Sequence, residues 1–233
     1  MKSFDVIIVG SGIGGLCCAS LLALKGKKVL VVEQHNQIGG VAHSFKRNGY
    51  KFESGPSLWS GISKWPTNNP LAQIFYLLDE KVDVVRYKDW RLLLPELNFN
   101  LEVGRKPLSD KIKQIRGEKA LREWELFLSS VAKLSKVVSK LPLLSHSIDK
   151  NFIEKLSLAL KFPQDLNSLL KLKSGFGKIV DNHLYDPFLR NWVDLLSFLI
   201  SGMSMKDTNA AAMATLFDEW FDANSFLEYP IGG

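Results

Sequence analysis

The chain has 233 residues, enough to bury a sizeable core, and its length alone allows one or two domains. Hydrophobic residues at 46% and charged residues at 23% are ordinary globular values. The only two cysteines, Cys17 and Cys18, are adjacent, which excludes a disulfide framework and suits a reducing compartment.

The net charge is +6, and all of the basic excess sits in the middle third. Residues 104–178 carry 16 Lys and Arg against 7 Asp and Glu. Such asymmetry suits an anionic partner. No RNA- or DNA-binding motif accompanies it, so nucleic acid is not expected. A solvated lysine-rich face and a peripheral contact with an anionic membrane surface remain open. No run reaches the length of a transmembrane helix, since the apolar stretch Trp192 to Met205 is broken by Asp194. Asp5 and the glycines after it interrupt any signal-peptide core, and Met1 stands only a few residues before the first strand. The expected location is therefore cytoplasmic, or peripheral on a membrane, without a signal or transit peptide.

In chain order, Asp5 to Val9 is a short β-branched run that reads as a strand buried on both faces. Gly10-Ser11-Gly12-Ile13-Gly14-Gly15 then fits G-x-G-x-x-G. Leu16 to Lys25 has helical composition, Gly26 ends it, and Val29 to Val32 is a second buried strand closing on Glu33. Strand, glycine turn, helix, strand and acid in that order form a dinucleotide-binding βαβ unit. Gly10 is expected to permit a tight turn where a side chain would clash. Gly12 lets the backbone approach a pyrophosphate, whose charge sits on the helix N-terminus. Gly15 lets helix and strand pack closely. Glu33 lies 18 residues after Gly15, where a carboxylate accepts hydrogen bonds from both ribose hydroxyls of an adenosine. An acid there argues against a 2′-phosphate, and hence against NADP.

Gln34 follows the acid, and the Gly39-Gly40 pair marks a loop that passes close to something bulky. Asn48-Gly49 is a hairpin-type turn between short strands at Ala42 to Lys46 and Tyr50 to Glu53. Gly55-Pro56-Ser57 turns the chain again.

The glycine turn, Glu33, the Gly39-Gly40 pair and the segment Phe52-Glu53-Ser54-Gly55-Pro56-Ser57 resemble the N-terminal part of the phytoene desaturase family. This family of FAD-dependent oxidoreductases includes carotenoid desaturases, prolycopene isomerase and retinol saturase. The fragment from Gly55 to Ser63 is more similar to the isomerase-like branch than to the bacterial four-step desaturases. The resemblance implies FAD as cofactor, held by Gly10, Ser11, Gly12, Ile13, Gly14, Gly15, Glu33, Gln34, Gly39, Gly40, Gly55, Pro56 and Ser57. It implies a carotenoid or other long apolar polyene as substrate, with desaturation and cis–trans isomerisation both open. Val41 stands where related flavoenzymes commonly have an arginine.

Leu71 to Leu78 reads as a short helix, and Val82 to Tyr87, Arg91 to Leu94 and Asn98 to Val103 read as the strands of a meander. From Ser109 the chain is largely helical. Leu121, Trp124, Leu128, Val131, Val138 and Leu141 form an apolar stripe, with Lys133, Lys136 and Lys140 off it and Pro142 as the stop. Further helices are expected at Phe152 to Phe162, Leu166 to Leu172, Leu184 to Ile200 with an interruption at Pro187, and Ala210 to Phe221. The stripe reads as core, or as a basic amphipathic surface that docks on a bilayer.

The expected fold is α/β: a Rossmann-like FAD-binding unit over residues 1–75, then an α+β substrate domain of antiparallel strands and helices over 76–228. Residues 229–233 begin a return to the first domain. Members of the resembled family are about twice this length, so the Rossmann-like sheet is expected to be incomplete, with exposed edge and apolar surface. His35, His43, His146 and His183 have no metal-ligand spacing, so no metal is expected. No nucleophile elbow, P-loop or catalytic carboxylate pair is present, and no catalytic residue is assigned. Two other readings stay open: another oxidoreductase of the flavin amine oxidase superfamily, and a truncated, non-catalytic relative.

Overall fold

The computed structural model describes residues 3–55, 58–67, 69–95, 97–139, 174–221 and 227–232. The chain divides into two compact units, residues 1–90 with 226–233, and residues 91–225.

The first unit opens with β1 (Val6–Val9), α1 (Ile13–Leu24) and β2 (Val29–Val32). β1 and β2 pair in parallel with Val6 opposite Val29 and Val9 opposite Val32, as a strand–helix–strand crossover requires. These strands are not buried on both faces. Ile7 is 62% and Val9 86% exposed, because among the described residues the parallel sheet has two strands and no residue of α1 is fully buried. The apolar run belongs to a sheet that more strands would have to flank and cover.

A 3₁₀ turn at Gly40–Ala42 leads into the hairpin of β3 (Ser44–Arg47) and β4 (Tyr50–Glu53). Asn48 and Gly49 both have positive φ, 51° and 82°, the backbone of a type I′ turn. Phe45 and Phe52 sit opposite one another with stacked rings 5.5 Å apart. Next come β5 (Trp59–Ser60), α2 (Pro70–Leu77) and β6 (Val84–Tyr87). Asn69 caps α2 by accepting from the Leu71 and Ala72 amides at 2.9 and 3.2 Å, with Pro70 in the first turn where a missing N–H costs nothing.

Two further strands follow, β7 (Asp89–Leu93) and β8 (Asn98–Glu102), and the last is β9 (Leu227–Pro230). The three strands read as a meander are present but do not form one sheet. β6 pairs antiparallel with β9, which lies between it and β5, while β7 pairs with β8 alone. Residues 229 and 230, read as the start of a return, thus belong with 227 and 228 to the central strand of a sheet.

The second unit is mainly helical: α3 (Arg105–Ser139), α4 (Phe176–Asp181), α5 (Pro187–Ser201) and α6 (Ala210–Trp220). α3 begins four residues before Ser109 and is broken at Gly117, where φ is 81°. The stripe is core: Trp124, Leu128 and Val131 are buried. Its centre is displaced from the expected stripe, since Phe127 and Leu134 are buried while Leu121 and Val138 are only half-buried. Trp124, Phe127, Phe176, Phe217 and Phe221 form one aromatic cluster with ring centroids 5.2–6.0 Å apart. Three of its six ring pairs are edge-to-face and three are tilted, and none is a face-to-face sandwich, as ring quadrupoles favour. α5 starts at Pro187 rather than Leu184, because Asp186 caps it through the Phe188 and Leu189 amides. The expected helices at 152–162 and 166–172, with Leu141 and Pro142, lie outside the described residues. Among the described residues no helix is long and apolar enough to cross a membrane.

Candidate functional site

The site is built on the crossover from β1 to α1. Gly10 leaves β1 with φ 99°, a left-handed conformation that L side chains rarely adopt. The reason for glycine here is the backbone and not a clash, because a Cβ on Gly10 would meet nothing within 4 Å. The close approach is at Gly15, whose Cβ would lie 2.2 Å from the Gly10 carbonyl oxygen and 3.5 Å from Ile8. Helix and strand can therefore meet only through glycine.

Gly12 and Gly14 face open space, again with nothing within 4 Å of a Cβ. Gly12 is the N-cap of α1 and offers no side-chain hydrogen bond, and the first turn holds no acidic residue. The amides of that turn, which a helix cannot satisfy internally, and the positive end of its dipole thus meet no anion of the helix itself. Space that a side chain would fill, in front of a helix N-terminus with no capping side chain or acid of its own, is what a pyrophosphate needs.

Glu33, just past β2, is turned toward this turn. Its Oε2 accepts from the Ser11 amide at 2.6 Å and from the Ser11 hydroxyl at 2.7 Å, and Oε1 accepts from the His35 amide at 2.9 Å. The Ser11 amide, then the His35 amide and the Ser11 hydroxyl, pull its pKa down to about 2. The carboxylate is ionised and fixed in direction, and each oxygen keeps acceptor capacity for a ribose hydroxyl. Gln34 is exposed, and its amide adds to the stabilisation of Glu33.

The Gly39-Gly40 loop returns to the same turn. The Gly39 amide donates to the Ser11 carbonyl at 2.9 Å, and a Cβ on Gly40 would lie 3.0 Å from Gly12 Cα. The bulky object that the paired glycines pass is thus the glycine turn itself. Gly55 in turn packs on Val41, its absent Cβ falling 2.3 Å from the Val41 carbonyl oxygen. The structure therefore brings Glu33, Gly39 and Gly40 onto the Gly10–Gly15 turn, with Gln34 beside Glu33, whereas Gly55 touches Val41 and not the turn. Pro56 and Ser57 lie outside the described residues.

Three side-chain arrangements carried no signal in spacing. His43 bridges Gly40 and Ser54, and its ring stands 5.8 Å from that of His35. Tyr229 donates its hydroxyl to Glu53 at 2.7 Å, tying β9 to the hairpin. Glu228 is fully buried, accepting from the Ser63 amide at 3.0 Å and from the Ser63 hydroxyl, with Arg86 Nε at 3.5 Å. The Tyr229 and Glu228 contacts join segments distant in sequence, and His43 links neighbouring loops that impose no period, so spacing could not have found them. Among the described residues no group of His, Cys, Asp and Glu could hold a metal ion, and both cysteines are free.

Comparison with known proteins agrees with this geometry. Residues 8–75 match the NAD(P)-binding Rossmann-like domain family. Over its whole length the chain is 28% identical to prolycopene isomerase 2, chloroplastic, of an Oncidium hybrid cultivar and covers 39% of that protein. It is 27% identical to prolycopene isomerase, chloroplastic, of Arabidopsis thaliana, covering 38% of it. A 54-residue stretch, 23% of this chain and 9% of the relative, is 56% identical to all-trans-retinol 13,14-reductase of Danio rerio. The chain thus spans about two fifths of the length of the prolycopene isomerases it matches. Among solved structures, a putrescine oxidase superposes with TM-score 0.58 at 18% identity, covering 99% of this chain and 46% of that one. The CLA-producing fatty acid isomerase from P. acnes gives 0.53 at 16%, covering 97% and 48%. The chain is similar over its whole length to the prolycopene isomerases and over 54 residues to the retinol reductase, and its fold resembles slightly less than half of the putrescine oxidase and fatty acid isomerase structures. Its cradle is one for a dinucleotide cofactor.

Proposed function

We propose that this chain is the cofactor-binding half of an FAD-dependent oxidoreductase acting on a long, apolar, carotenoid-like polyene, by desaturation or cis–trans isomerisation. The observation that carries the reading is the cradle: open Cβ positions at Gly12 and Gly14 before an uncapped helix N-terminus, with an ionised Glu33 fixed by Ser11. Homology to prolycopene isomerases and a retinol reductase supports the polyene.

In this reading the first-turn amides of α1 bind the pyrophosphate, and Glu33 accepts from the adenosine ribose. Glu33 also excludes a 2′-phosphate by charge. When bound, FAD supplies the two-electron chemistry, which a protein orients but does not itself perform. No side chain of the cradle is asked to move a proton, and no catalytic residue is assigned. The exposed lysines of α3, among them Lys119, Lys133 and Lys136, support a peripheral contact with an anionic membrane surface, where such a substrate dissolves.

The test is to load the chain with FAD and present a carotenoid extract and a set of small amines. Flavin bleaching or a shift in polyene isomers with the extract alone is the expected result. Turnover of an amine with none of the polyene would overturn the substrate assignment. A second reading, a non-catalytic relative, is favoured by one observation: the two-stranded parallel sheet leaves Ile7 and Val9 exposed. It predicts weak FAD binding and no turnover of either substrate.

A further inference from the structure

The Gly39-Gly40 loop has two consecutive residues of positive φ, 110° and 61°. Glycine reaches that conformation without steric cost but loses more freedom than any other residue on being held there. Apolar burial does not hold this loop, because its flanking Ile38 and Val41 are exposed. Polar contacts must do so. One is the Gly39 amide to the Ser11 carbonyl. The other runs through His43.

His43 Nδ1 lies 2.6 Å from the Gly40 carbonyl oxygen and Nε2 lies 2.9 Å from Ser54 Oγ. A carbonyl oxygen only accepts, so Nδ1 carries the proton toward Gly40, and Nε2 shares the second hydrogen bond with the Ser54 hydroxyl. The backbone repeats the link, with the Ser54 amide donating to the His43 carbonyl at 3.1 Å. The imidazole is therefore a strut between the end of β4 and the loop that touches Gly12. We infer that His43, braced by Ser54, is a positioning residue that holds the Gly39-Gly40 loop against the pyrophosphate-binding turn before any cofactor arrives. The consequence for cofactor affinity rests on the FAD reading above, whereas the consequence for loop order does not. Pre-organisation of this kind removes an ordering cost that binding would otherwise carry.

The test uses the full chain with His43→Ala, His43→Asn and Ser54→Ala, and two readouts. The first is amide hydrogen exchange without cofactor. His43→Ala should speed exchange at Gly39 about fivefold or more, the equivalent of one neutral hydrogen bond. Ile8 and Leu21, in β1 and α1, should be unmoved. The second is FAD affinity, which should weaken by a similar factor. His43→Asn places an amide donor near the Nδ1 position and should recover part of both effects. Should His43→Ala fail to fold, Ser54→Ala, which removes one exposed hydroxyl, should still speed Gly39 exchange about twofold. Unchanged Gly39 exchange in the folded variants would overturn the inference, as would acceleration spread equally over β1 and α1. A parent chain that binds no FAD while Gly39 still responds would overturn the cofactor reading and leave the positioning role standing.

Discussion

Gly14 and Gly15 are neighbours in the first turn of α1, and alanine should act on them with opposite sign. At Gly15 the new Cβ would fall 2.2 Å from the Gly10 carbonyl oxygen. The obstacle is backbone and not the end of a flexible side chain, so the turn itself must move. Overpacking of this kind costs about 1–3 kcal/mol, against which helix propensity returns at most about 1 kcal/mol. A net loss of about 1–2 kcal/mol is expected, or roughly 1 M in a urea midpoint. At Gly14 a Cβ meets nothing within 4 Å, so propensity acts alone and the fold gains up to about 1 kcal/mol. Both variants should bind cofactor more weakly, Gly14→Ala by filling the cradle and Gly15→Ala by displacing its turn. Urea unfolding followed by far-ultraviolet circular dichroism gives the stabilities, and flavin fluorescence titration gives the affinities. A Gly15→Ala protein as stable as the parent would refute the packing argument. Undiminished flavin affinity in Gly14→Ala would refute the use of the open space.

The other predictions concern charge and capping. Glu33 has its pKa lowered from 4.5 to about 2, so its contribution to stability is complete above pH 4.5 and is lost as pH falls toward 2. Glu33→Gln should therefore flatten the acid limb of a stability-versus-pH curve in that window; an unchanged limb would contradict it. Glu228→Ala leaves the Ser63 amide and hydroxyl without their buried acceptor and should cost about 1–3 kcal/mol, read as a lowered melting temperature. Asp186→Ala removes the cap of α5 and both oxygens that Arg116 grips at 2.9–3.3 Å. It should cost about 1–2 kcal/mol, and Asp186→Asn, which keeps the cap, should recover most of it in the same denaturation assay.

The β1–α1–β2 unit and Glu33 were legible because their signals are local. A β-branched run, a glycine spacing and an acid at a fixed distance each report on a few residues, and the structure assembles them without long-range help. The hairpin at Asn48-Gly49 is of the same kind. β9 was not legible: its partners β5 and β6 lie far upstream, and Tyr229-Pro230-Ile231-Gly232 reads as a turn until those strands are in place. The stripe on α3 was seen but mis-centred, because the buried side is the one on which Phe127 meets Phe176 and Phe217, contacts made by helices far along the chain. Gly10 was correctly singled out for the wrong reason, since a sequence shows that glycine is present but not whether space or backbone conformation demands it. The contacts of Ser11 with Glu33, and of His43 with Ser54, join side chains across loops. Loops impose no period from which such pairs could be read.

The most direct measurement of the central claim is the visible absorption spectrum of the purified chain after saturation with FAD and desalting, repeated with excess ADP as competitor. The account predicts a flavin band that ADP diminishes, because the adenosine end is held by Glu33 and the first turn of α1, and one that Glu33→Ala weakens. A band indifferent to both ADP and Glu33→Ala, or a colourless protein that also fails to bind ADP, would contradict it.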